Sequence, residues 1–344
     1  MLSSRVYSWA EQRTLTHSLT IWIPTYRRPQ QLASLLDNLH KVGLTRIADV
    51  VVSDNDPDGP LAAAVASGQS PLSPHVRYLC NPANLTAGVN FLRAFEYCST
   101  PWLMIVGDDD LFAPTSVKQL QDVLAVLPVT VMAVKFDSSL YGGQQTRCVS
   151  SLQDYVEQVD SRDYAQAFNN LCLVSNWLFR CAPYRRYLGT GYLGYSSKIS
   201  HLFPALQACA REAGQLMFHT AQPVCHGTTD TSSWPKAPTW YEMAITLTSF
   251  SGFVERSDRS ALLRLLFHTD WRRNLAKCLR VHQFYGDRRQ GVKVWQVHGH
   301  LALISAGYRL ALLLALPIFL LFPSGCLPRW LSQQLGEPGS VERW

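Results

Sequence analysis

The most informative part of the chain is residues 19–54, LTIWIPTYRRPQQLASLLDNLHKVGLTRIADVVVSD, in which two apolar runs flank an amphipathic segment. Residues 19–25 and 47–53 are predicted strands, and the leucines that recur at helical spacing over 30–42 predict a helix between them. A proline at the start of that helix and a glycine directly after it agree with these limits. The stretch is therefore a strand–helix–strand unit.

The same alternation continues to about residue 136. Further strands are predicted at 76–80, 102–106 and 129–136, and further helices at 87–98 and 116–127. The run at 102–106 is apolar without interruption, which is typical of a strand buried on both faces of a parallel sheet. Repeated β-α-β units predict an α/β fold with an open, mostly parallel sheet flanked by helices.

Length and composition describe a folded, rather apolar protein. The chain has 344 residues, 47% of them hydrophobic and 16% charged, which excludes a disordered chain or a charged coiled coil. The net charge of +6 suits anionic lipid or a phosphorylated substrate and is too small to indicate nucleic acid. The nine cysteines lack any zinc-site spacing, and residues 1–18 lack the apolar core of a signal peptide. We therefore expect reduced thiols and a cytoplasmic protein.

Four regions are predicted along the chain. They are an N-terminal extension at 1–18, the alternating half at 19–136, a substrate-facing half at 137–243, and a helical C-terminal region at 244–344. In the substrate-facing half a helix is expected from about residue 198 to 213, and in the last region helices are expected at 244–253 and 261–279.

An apolar segment lies within the last region, at 301–322, where Pro317 and Arg309 interrupt it. A helix that spans a bilayer needs about 20 apolar residues, and an arginine this far inside costs a few kcal/mol, so a spanning helix is disfavoured. Two interpretations stay open. The segment either lies at the cytoplasmic face of the inner membrane, with Arg309 reaching the headgroups, or packs on the protein as a helical hairpin.

An acidic motif follows the apolar run at 102–106 directly: Gly107, Asp108, Asp109 and Asp110. Adjacent carboxylates repel one another unless a cation resolves the repulsion. Mg²⁺ or Mn²⁺ takes one or two protein carboxylates and completes its shell with water and substrate phosphates, so a nucleotide diphosphate is the expected companion. The alternative is an exposed acidic turn that caps the next helix.

Two other strand ends carry polar groups. Asp54 directly follows the second predicted strand, where a carboxylate can accept a hydrogen bond from a nucleobase or a ribose, and the first strand leads into PTYRR at 24–28. Arginine suits phosphate because its guanidinium binds two oxygens at once. In open α/β sheets ligands bind at the carboxyl ends of the strands, so these groups are expected to line one crevice.

The stretches at 19–28, 51–55, 84–90 and 107–110 together resemble a family 2 glycosyltransferase with the nucleotide-sugar-binding GT-A fold. The Gly-Asp-Asp-Asp form is similar to the abequosyltransferase-like branch of bacterial surface polysaccharide synthesis. The resemblance implies transfer of a sugar, with inversion and with Mg²⁺ or Mn²⁺, from a nucleotide-diphosphate donor to a saccharide or polyprenyl-linked acceptor. It also implies that Thr25 and Tyr26 line the base pocket and that Asp54 binds the base.

The remaining roles implied by the resemblance concern the donor and its metal. The donor-binding set is Pro24, Thr25, Tyr26, Arg28, Asp54, Asn84, Gly88 and Asp108. The metal set is Asp108, Asp109 and Asp110, with Asp109 binding the cation on the diphosphate.

The general base is where the chain departs from the family, because no Glu-Asp dipeptide occurs in it. His201 and Asp230 are the two candidates for removing the acceptor proton, and for each the alternative is a packing or capping role. Two rival functions follow. One is a sugar-nucleotide or polysaccharide-binding protein that has lost catalysis, and the other is a sugar nucleotidyltransferase, which usually begins with a glycine-rich phosphate loop that residues 24–29 do not form.

Overall fold

The computed structural model describes residues 5–7, 17–69, 72–73, 75–136, 146–160, 163–195, 199–219, 224–227, 255–267 and 306–321. It also describes short pieces at 274–275, 278–279, 282, 295, 298–299 and 301–302. The chain forms two compact units. Among the described residues, the first unit contains all residues up to Ser151, together with Cys172–Tyr195 and 199–227. The second unit contains Leu152–Leu171 and the described residues from 255 onward.

A nine-stranded sheet organises the first unit, in the order β1-β4-β3-β2-β5-β9-β7-β10-β8. Its strands are β1 Arg5–Tyr7, β2 Leu19–Thr25, β3 Ala48–Asp54, β4 Val76–Cys80, β5 Trp102–Ile105, β7 Val131–Phe136, β8 Arg147–Val149, β9 Trp177–Arg180 and β10 Gln215–His219. All but β1, β8 and β9 point the same way. Two further strands, β6 Asp110–Phe112 and β11 Cys225–Gly227, pair antiparallel in a separate ribbon.

Helices connect and flank these strands. They are α1 Pro29–Val42, α2 Pro60–Ala66, α3 Thr86–Tyr97, α4 Ser116–Val126, α5 Leu152–Glu157, α6 Tyr164–Cys172, α7 Cys181–Arg186, α8 Leu188–Leu193, α9 Phe203–Glu212, α10 Arg256–Leu266 and α11 Ala306–Leu321, with a 3₁₀ turn at Leu44–Arg46. The prediction of a mostly parallel α/β sheet flanked by helices is confirmed. The division into four regions stays a prediction.

The predicted elements up to residue 136 lie within two residues of the observed ones, whereas later elements differ more. Helix α9 begins at Phe203, five residues after the predicted start, and α10 spans Arg256–Leu266 where 261–279 was expected. Helix α2 was not predicted because its seven residues include four alanines and too few large apolar residues to show a period. The helix expected at 244–253 lies outside the described residues.

Strand β2 lies at the centre of the parallel half of the sheet, between β3 and β5. Its Ile21 and Ile23 have no exposed surface, and neither have Val50 and Val52 of β3. Helix α1 covers one face with leucines 32, 35 and 39, and ends at Gly43, whose φ of +86° is a left-handed conformation that glycine adopts without strain. This packing holds the carboxyl ends of β2 and β3 at one edge.

The second unit is built around helix contacts. The carboxylate of Asp258, in α10, accepts the backbone N–H of Leu152 at the start of α5 at 2.8 Å. Helix α11 packs through Tyr308, Ala311, Ala315 and Phe319, all buried, while its leucines on the opposite side are exposed. Tyr308 lies 5.7 Å from Phe267, ring centre to ring centre. Among the described residues, no helix combines the length and the apolar character that crossing a membrane requires.

Burial of Asp258 predicts a pH-dependent stability. Desolvation raises the pKa of this carboxyl from 3.8 to about 6, so its contribution to folding is fully present below the unfolded pKa and is lost as the pH rises through about 6. We expect Asp258→Asn, which keeps an acceptor for Leu152, to remove this loss. The difference in unfolding free energy, variant minus wild type, should increase by about 3 kcal/mol between about pH 4 and pH 7. Urea titrations at each pH measure it.

The exposed carboxylate of Asp122 on α4 supplies the control, because its side chain is 61% exposed. Asp122→Asn should follow the wild type at every pH. If Asp258→Asn also follows the wild type across this pH range, the buried carboxyl does not carry the effect.

Candidate functional site

The parallel strands bring their last residues into one row. Thr25 at the end of β2 is in register with Asp54 at the end of β3, and Asp54 is in register with Cys80 at the end of β4. The hydrogen bonding continues one residue further, because the N–H of Asn55 donates to the Thr25 carbonyl at 2.9 Å and the N–H of Asn81 to the Asp54 carbonyl at 2.8 Å. The row is a rigid edge on which side chains are placed.

Asp108 and Asp109 meet an arginine and a threonine from the β2 end of this row. The hydroxyl of Thr25 donates to Asp108 Oδ2 at 2.8 Å. Arg28 donates through one terminal nitrogen to Asp108 Oδ1 at 2.7 Å and to Asp109 Oδ2 at 3.0 Å. Burial raises the pKa of Asp108, although Thr25 and Arg28 oppose the shift. Sequence reasoning placed these groups in one crevice, and the structure brings them into direct contact.

The backbone between β2 and α1 separates the two neighbouring arginines. Arg27 has a φ of +57°, which is uncommon for a residue with a side chain. Its guanidinium lies 5.0 Å from the Tyr26 ring centre and bonds Asp56 at 3.2 Å. Pro29 then starts α1 and restricts Arg28 in front of it. One arginine is therefore held at Asp56 and the next at the acidic motif.

Asp110 has a different environment from its two neighbours. Its Oδ2 accepts the backbone N–H of Gly107 at 3.0 Å and the hydroxyl of Ser175. Burial is the main cause that raises its pKa. Lys135, buried in β7, donates to the carbonyls of Leu173 and Ser175 at 2.9 and 3.1 Å and so holds the loop that carries the serine. These bonds fasten the acidic turn to the sheet.

Asp54 lies at the strand end, as the sequence indicated, and both carboxylate oxygens have protein partners. Its Oδ1 accepts the N–H of Asp56 at 2.9 Å, and its Oδ2 accepts the hydroxyl of Tyr78 at 2.8 Å. Burial raises the pKa of Asp54, against these two hydrogen bonds. Burial also raises the pKa of Tyr78 strongly, with Asp54 adding to the shift. Tyr78 is a residue of this site that sequence reasoning missed.

A network of amides beneath the row was also missed. Asn81 donates to the Ser53 hydroxyl at 3.1 Å and to the Asn55 side-chain oxygen at 2.9 Å. Asn90, in α3, donates to the Ser53 carbonyl at 3.0 Å. These amides join the ends of β3 and β4 to α3. The available signal was an asparagine close to the end of each of two predicted strands: Asn81 directly follows 76–80, and Asn55 lies two residues after 47–53.

Asn84 and Gly88 belong to the turn that begins α3. The side-chain oxygen of Asn84 accepts the N–H of Thr86 at 3.0 Å, and Thr86 has a φ of +70°. The Asn55 side chain donates to the Thr86 carbonyl at 3.3 Å. A Cβ added at Gly88 would lie 2.5 Å from the carbonyl oxygen of Tyr195. This glycine is needed for a close backbone approach, which the structure shows independently of any ligand.

Of the two candidates for the general base, His201 and Asp230, the structure describes only His201. His201 is completely buried, lies edge-on to the Phe179 ring at 6.1 Å between ring centres, and has its carbonyl bonded to the Tyr184 hydroxyl. This environment is typical of a packing residue. Asp230 lies outside the described residues.

Asp108 and Asp109 form the acidic pair that would face a divalent cation. No group of three or more histidine, cysteine, aspartate or glutamate ligands occurs within the described ranges. Asp108 and Asp109 open onto a cavity of about 290 Å³, which is lined by Gln30, Gln31, Ser34, Asp108, Asp109 and Leu111. Two carboxylates beside open space are a donor set that Mg²⁺ or Mn²⁺ accepts when water and phosphate oxygens complete the shell. The residues therefore fit such an ion together with a diphosphate.

Comparison with known proteins gives a matching family model and a shared fold. The family model "Glycosyl transferase family 2" matches residues 20–188. The crystal structure of S. aureus TarS 1-349 in complex with UDP-GlcNAc superposes with a TM-score of 0.52 at 13% identity, covering 86% of this chain and 90% of that one. Another crystal structure of S. aureus TarS 1-349 gives a TM-score of 0.51 at 13% identity, with the same coverage. No curated protein matches the sequence. These structures share the fold, which is GT-A.

The close approach at Gly88 generates a prediction. We expect Gly88→Ala to lower the melting temperature by several degrees, because its Cβ must push away the backbone at Tyr195. Gly189→Ala, in α8, is the matched control, since nothing lies within 4 Å of the added Cβ. It should be neutral or slightly stabilising. Equal melting temperatures of the two variants in calorimetry would contradict the close approach.

Proposed function

We propose that this chain, whose residues 20–188 match the family 2 glycosyltransferase model, moves a sugar from a nucleotide-diphosphate donor to a saccharide or lipid-linked acceptor in bacterial surface polysaccharide synthesis. The observation that carries the proposal is the cluster of Thr25, Arg28, Asp108 and Asp109 at the carboxyl edge of a parallel sheet. Diphosphate ligands bind at such an edge because several strand ends present polar groups there.

The donor is assigned to the row of strand ends. Tyr26, more than a third exposed, offers a ring on which a base can stack, and it directly follows Pro24 and Thr25 at the end of β2. Asp54 acts beneath the base, where its bonds to Tyr78 and to the Asp56 N–H hold the end of β3 in place. Asn84 shapes the turn into α3, and Gly88 allows that helix to approach the segment around Tyr195.

The divalent cation, Mg²⁺ or Mn²⁺, is assigned to Asp108 and Asp109, and Asp110 is assigned to the turn that presents them. When bound, such an ion neutralises the negative charge that develops on the diphosphate leaving group. Thr25 orients Asp108 through a bond to Oδ2. Ser175 and the Gly107 N–H share Oδ2 of Asp110, so this carboxylate is already used to shape the motif.

Transfer with inversion requires a base on the side of the sugar opposite the diphosphate. Asp230 is the candidate we favour, because His201 has no exposed surface. Gly227, the last residue of β11, is in register with Asp110. Asp230 follows three residues later in the sequence, and this proximity along the chain favours it as the base.

The donor assignment predicts metal-dependent nucleotide binding. A ligand that binds only the folded state raises the melting temperature. We expect UDP, GDP or dTDP with Mn²⁺ to raise it by several degrees, and Asp109→Ala to abolish this shift, because one of the two carboxylates is gone. Asp37→Ala, at a 78% exposed position of α1, should keep the full shift.

Release of nucleoside diphosphate from the matching sugar nucleotide, in the presence of acceptor saccharide, then separates an enzyme from a binding protein that has lost catalysis. If none of the three nucleotides shifts the folded wild type, the donor assignment is wrong.

We also propose that α11 rests on the anionic cytoplasmic face of the inner membrane. Its exposed side carries Leu310, Leu313, Leu314, Leu316, Leu320 and Leu321. Leu313 and Leu320 are 62% and 77% exposed, far more than a leucine surrounded by protein. Arg309, also exposed, lies on the same side and can reach anionic headgroups, and the net charge of +6 has the matching sign.

The apolar side of α11 predicts binding to anionic vesicles. We expect the wild type to sediment with phosphatidylglycerol vesicles and much less with phosphatidylcholine vesicles, and Leu313→Gln/Leu320→Gln to reduce sedimentation about tenfold or more. Val126→Gln/Val129→Gln removes two side chains that are 76% and 80% exposed elsewhere, and it should bind like the wild type. Loss of a dimer in the leucine variant, without any vesicle binding by the wild type, would instead identify a second copy of the chain as the partner.

A further inference from the structure

Arg28 stands between the two carboxylates that are assigned to the cation. The same terminal nitrogen, Nη1, donates to Asp108 Oδ1 at 2.7 Å and to Asp109 Oδ2 at 3.0 Å. A positive group shared by one oxygen from each of two neighbouring carboxylates has the position of a bridging cation. The arginine thus already offsets the repulsion for which a divalent ion was predicted.

We propose that Arg28 is the resident cation of the acidic pair and that it competes with the divalent cation for Asp108 and Asp109. The donor diphosphate then relieves the competition, because it offers the guanidinium two phosphate oxygens in place of the two carboxylates. Donor and metal binding are coupled through this one side chain. The coupling rests on the donor site proposed above, whereas the competition is a property of the protein and the metal alone.

The competition follows from space and charge. Mg²⁺ requires oxygen ligands at about 2.1 Å, whereas the guanidinium holds Asp108 Oδ1 and Asp109 Oδ2 at hydrogen-bond distance, so the guanidinium cannot stay between these two oxygens while the ion bridges them. The side chain of Asp108 is 6% exposed and that of Asp109 is 20% exposed. Leaving these carboxylates without any positive partner would carry a desolvation penalty, so one cation has to replace the other.

The side chain of Arg28 is able to make the exchange. It is 21% exposed and thus faces solvent on one side. The backbone on either side is constrained, by the left-handed conformation of Arg27 and by Pro29, so the movement is confined to the side-chain torsions. A guanidinium binds phosphate with two parallel N–H groups, which makes a diphosphate a suitable second partner.

The metal site and the nucleotide site should therefore show reciprocal coupling. A nucleoside diphosphate that removes the guanidinium from Asp108 raises the affinity for the metal, and the metal raises the affinity for the nucleotide by the same factor. Part of the coupling comes from direct contact between metal and phosphate. The part that depends on Arg28 disappears when its charge is removed.

The experiment measures Mn²⁺ binding by titration calorimetry, without nucleotide, to the wild type, Arg28→Gln and Arg27→Gln. The two variants lose the same charge at neighbouring positions, but Arg27 is 67% exposed and bonds Asp56 instead of the acidic motif. We expect Arg28→Gln to bind Mn²⁺ about tenfold more tightly than the wild type, since the competing cation is gone. Arg27→Gln should stay within about twofold of the wild type.

A second arm repeats the titrations with saturating UDP and with saturating GDP. The gain in Mn²⁺ affinity on adding the effective nucleotide should be several-fold smaller in Arg28→Gln than in the wild type. Circular dichroism checks that each variant is folded. Arg28→Lys keeps the charge but lacks the planar guanidinium, and it replaces Arg28→Gln if that variant does not fold. It should bind Mn²⁺ more tightly than the wild type, but by a smaller factor than is expected for Arg28→Gln.

The outcomes separate this inference from the donor assignment. Equal Mn²⁺ affinities of the two glutamine variants, weaker binding by Arg28→Gln, or no Mn²⁺ binding to any folded protein would overturn the competition. Tighter Mn²⁺ binding by Arg28→Gln alone, with no effect of either nucleotide on any protein, would support the competition and count against the donor site. An undiminished nucleotide effect in Arg28→Gln would overturn the coupling.

Discussion

The repulsion between Asp108 and Asp109 is the constraint on which the site depends. Two largely buried carboxylates on adjacent residues are stable together only where positive charge and donors face them, and Arg28 and Thr25 supply both. Much of the surrounding structure serves this arrangement. Strand β2 delivers Thr25 beside the motif, the left-handed turn at Arg27 brings Arg28 to it, and Asp110 with Ser175 fastens the turn from the other side.

A second constraint links the part of the site assigned to the nucleobase with the acidic motif. Thr25 and Asp54 are in register in adjacent strands, and the side-chain amides of Asn55, Asn81 and Asn90, with Ser53 as an acceptor, join these strand ends to β4 and α3. Because these side chains are bonded to one another and to the backbone, the edge is organised without a ligand. A preorganised edge spends little binding energy on ordering itself, which leaves more for holding a flexible diphosphate.

Sequence reasoning was most successful where the pattern is local. The strands and helices that were predicted up to residue 136 lie within two residues of the observed ones, because apolar periodicity and helix punctuation are properties of short stretches. It was less successful in the part of the chain that follows. Strand β9 lies antiparallel between β5 and β7 in the sheet. Its four residues show no apolar periodicity that distinguishes a strand from a buried turn of helix. Its neighbours in the sheet come from distant parts of the chain.

For the site itself, the order of apolar strands and the residue types at their ends were enough to assign the α/β class and to place Thr25, Arg28, Asp54 and the acidic motif at one edge. Their roles depended on three-dimensional contacts. Only the tertiary structure decided that Asp110 holds a turn, that Arg28 lies between Asp108 and Asp109, and that Gly88 meets the backbone at Tyr195. The physical reason is that strand-end position follows from local pattern, whereas the partner of a buried charge is chosen among residues far away in the chain.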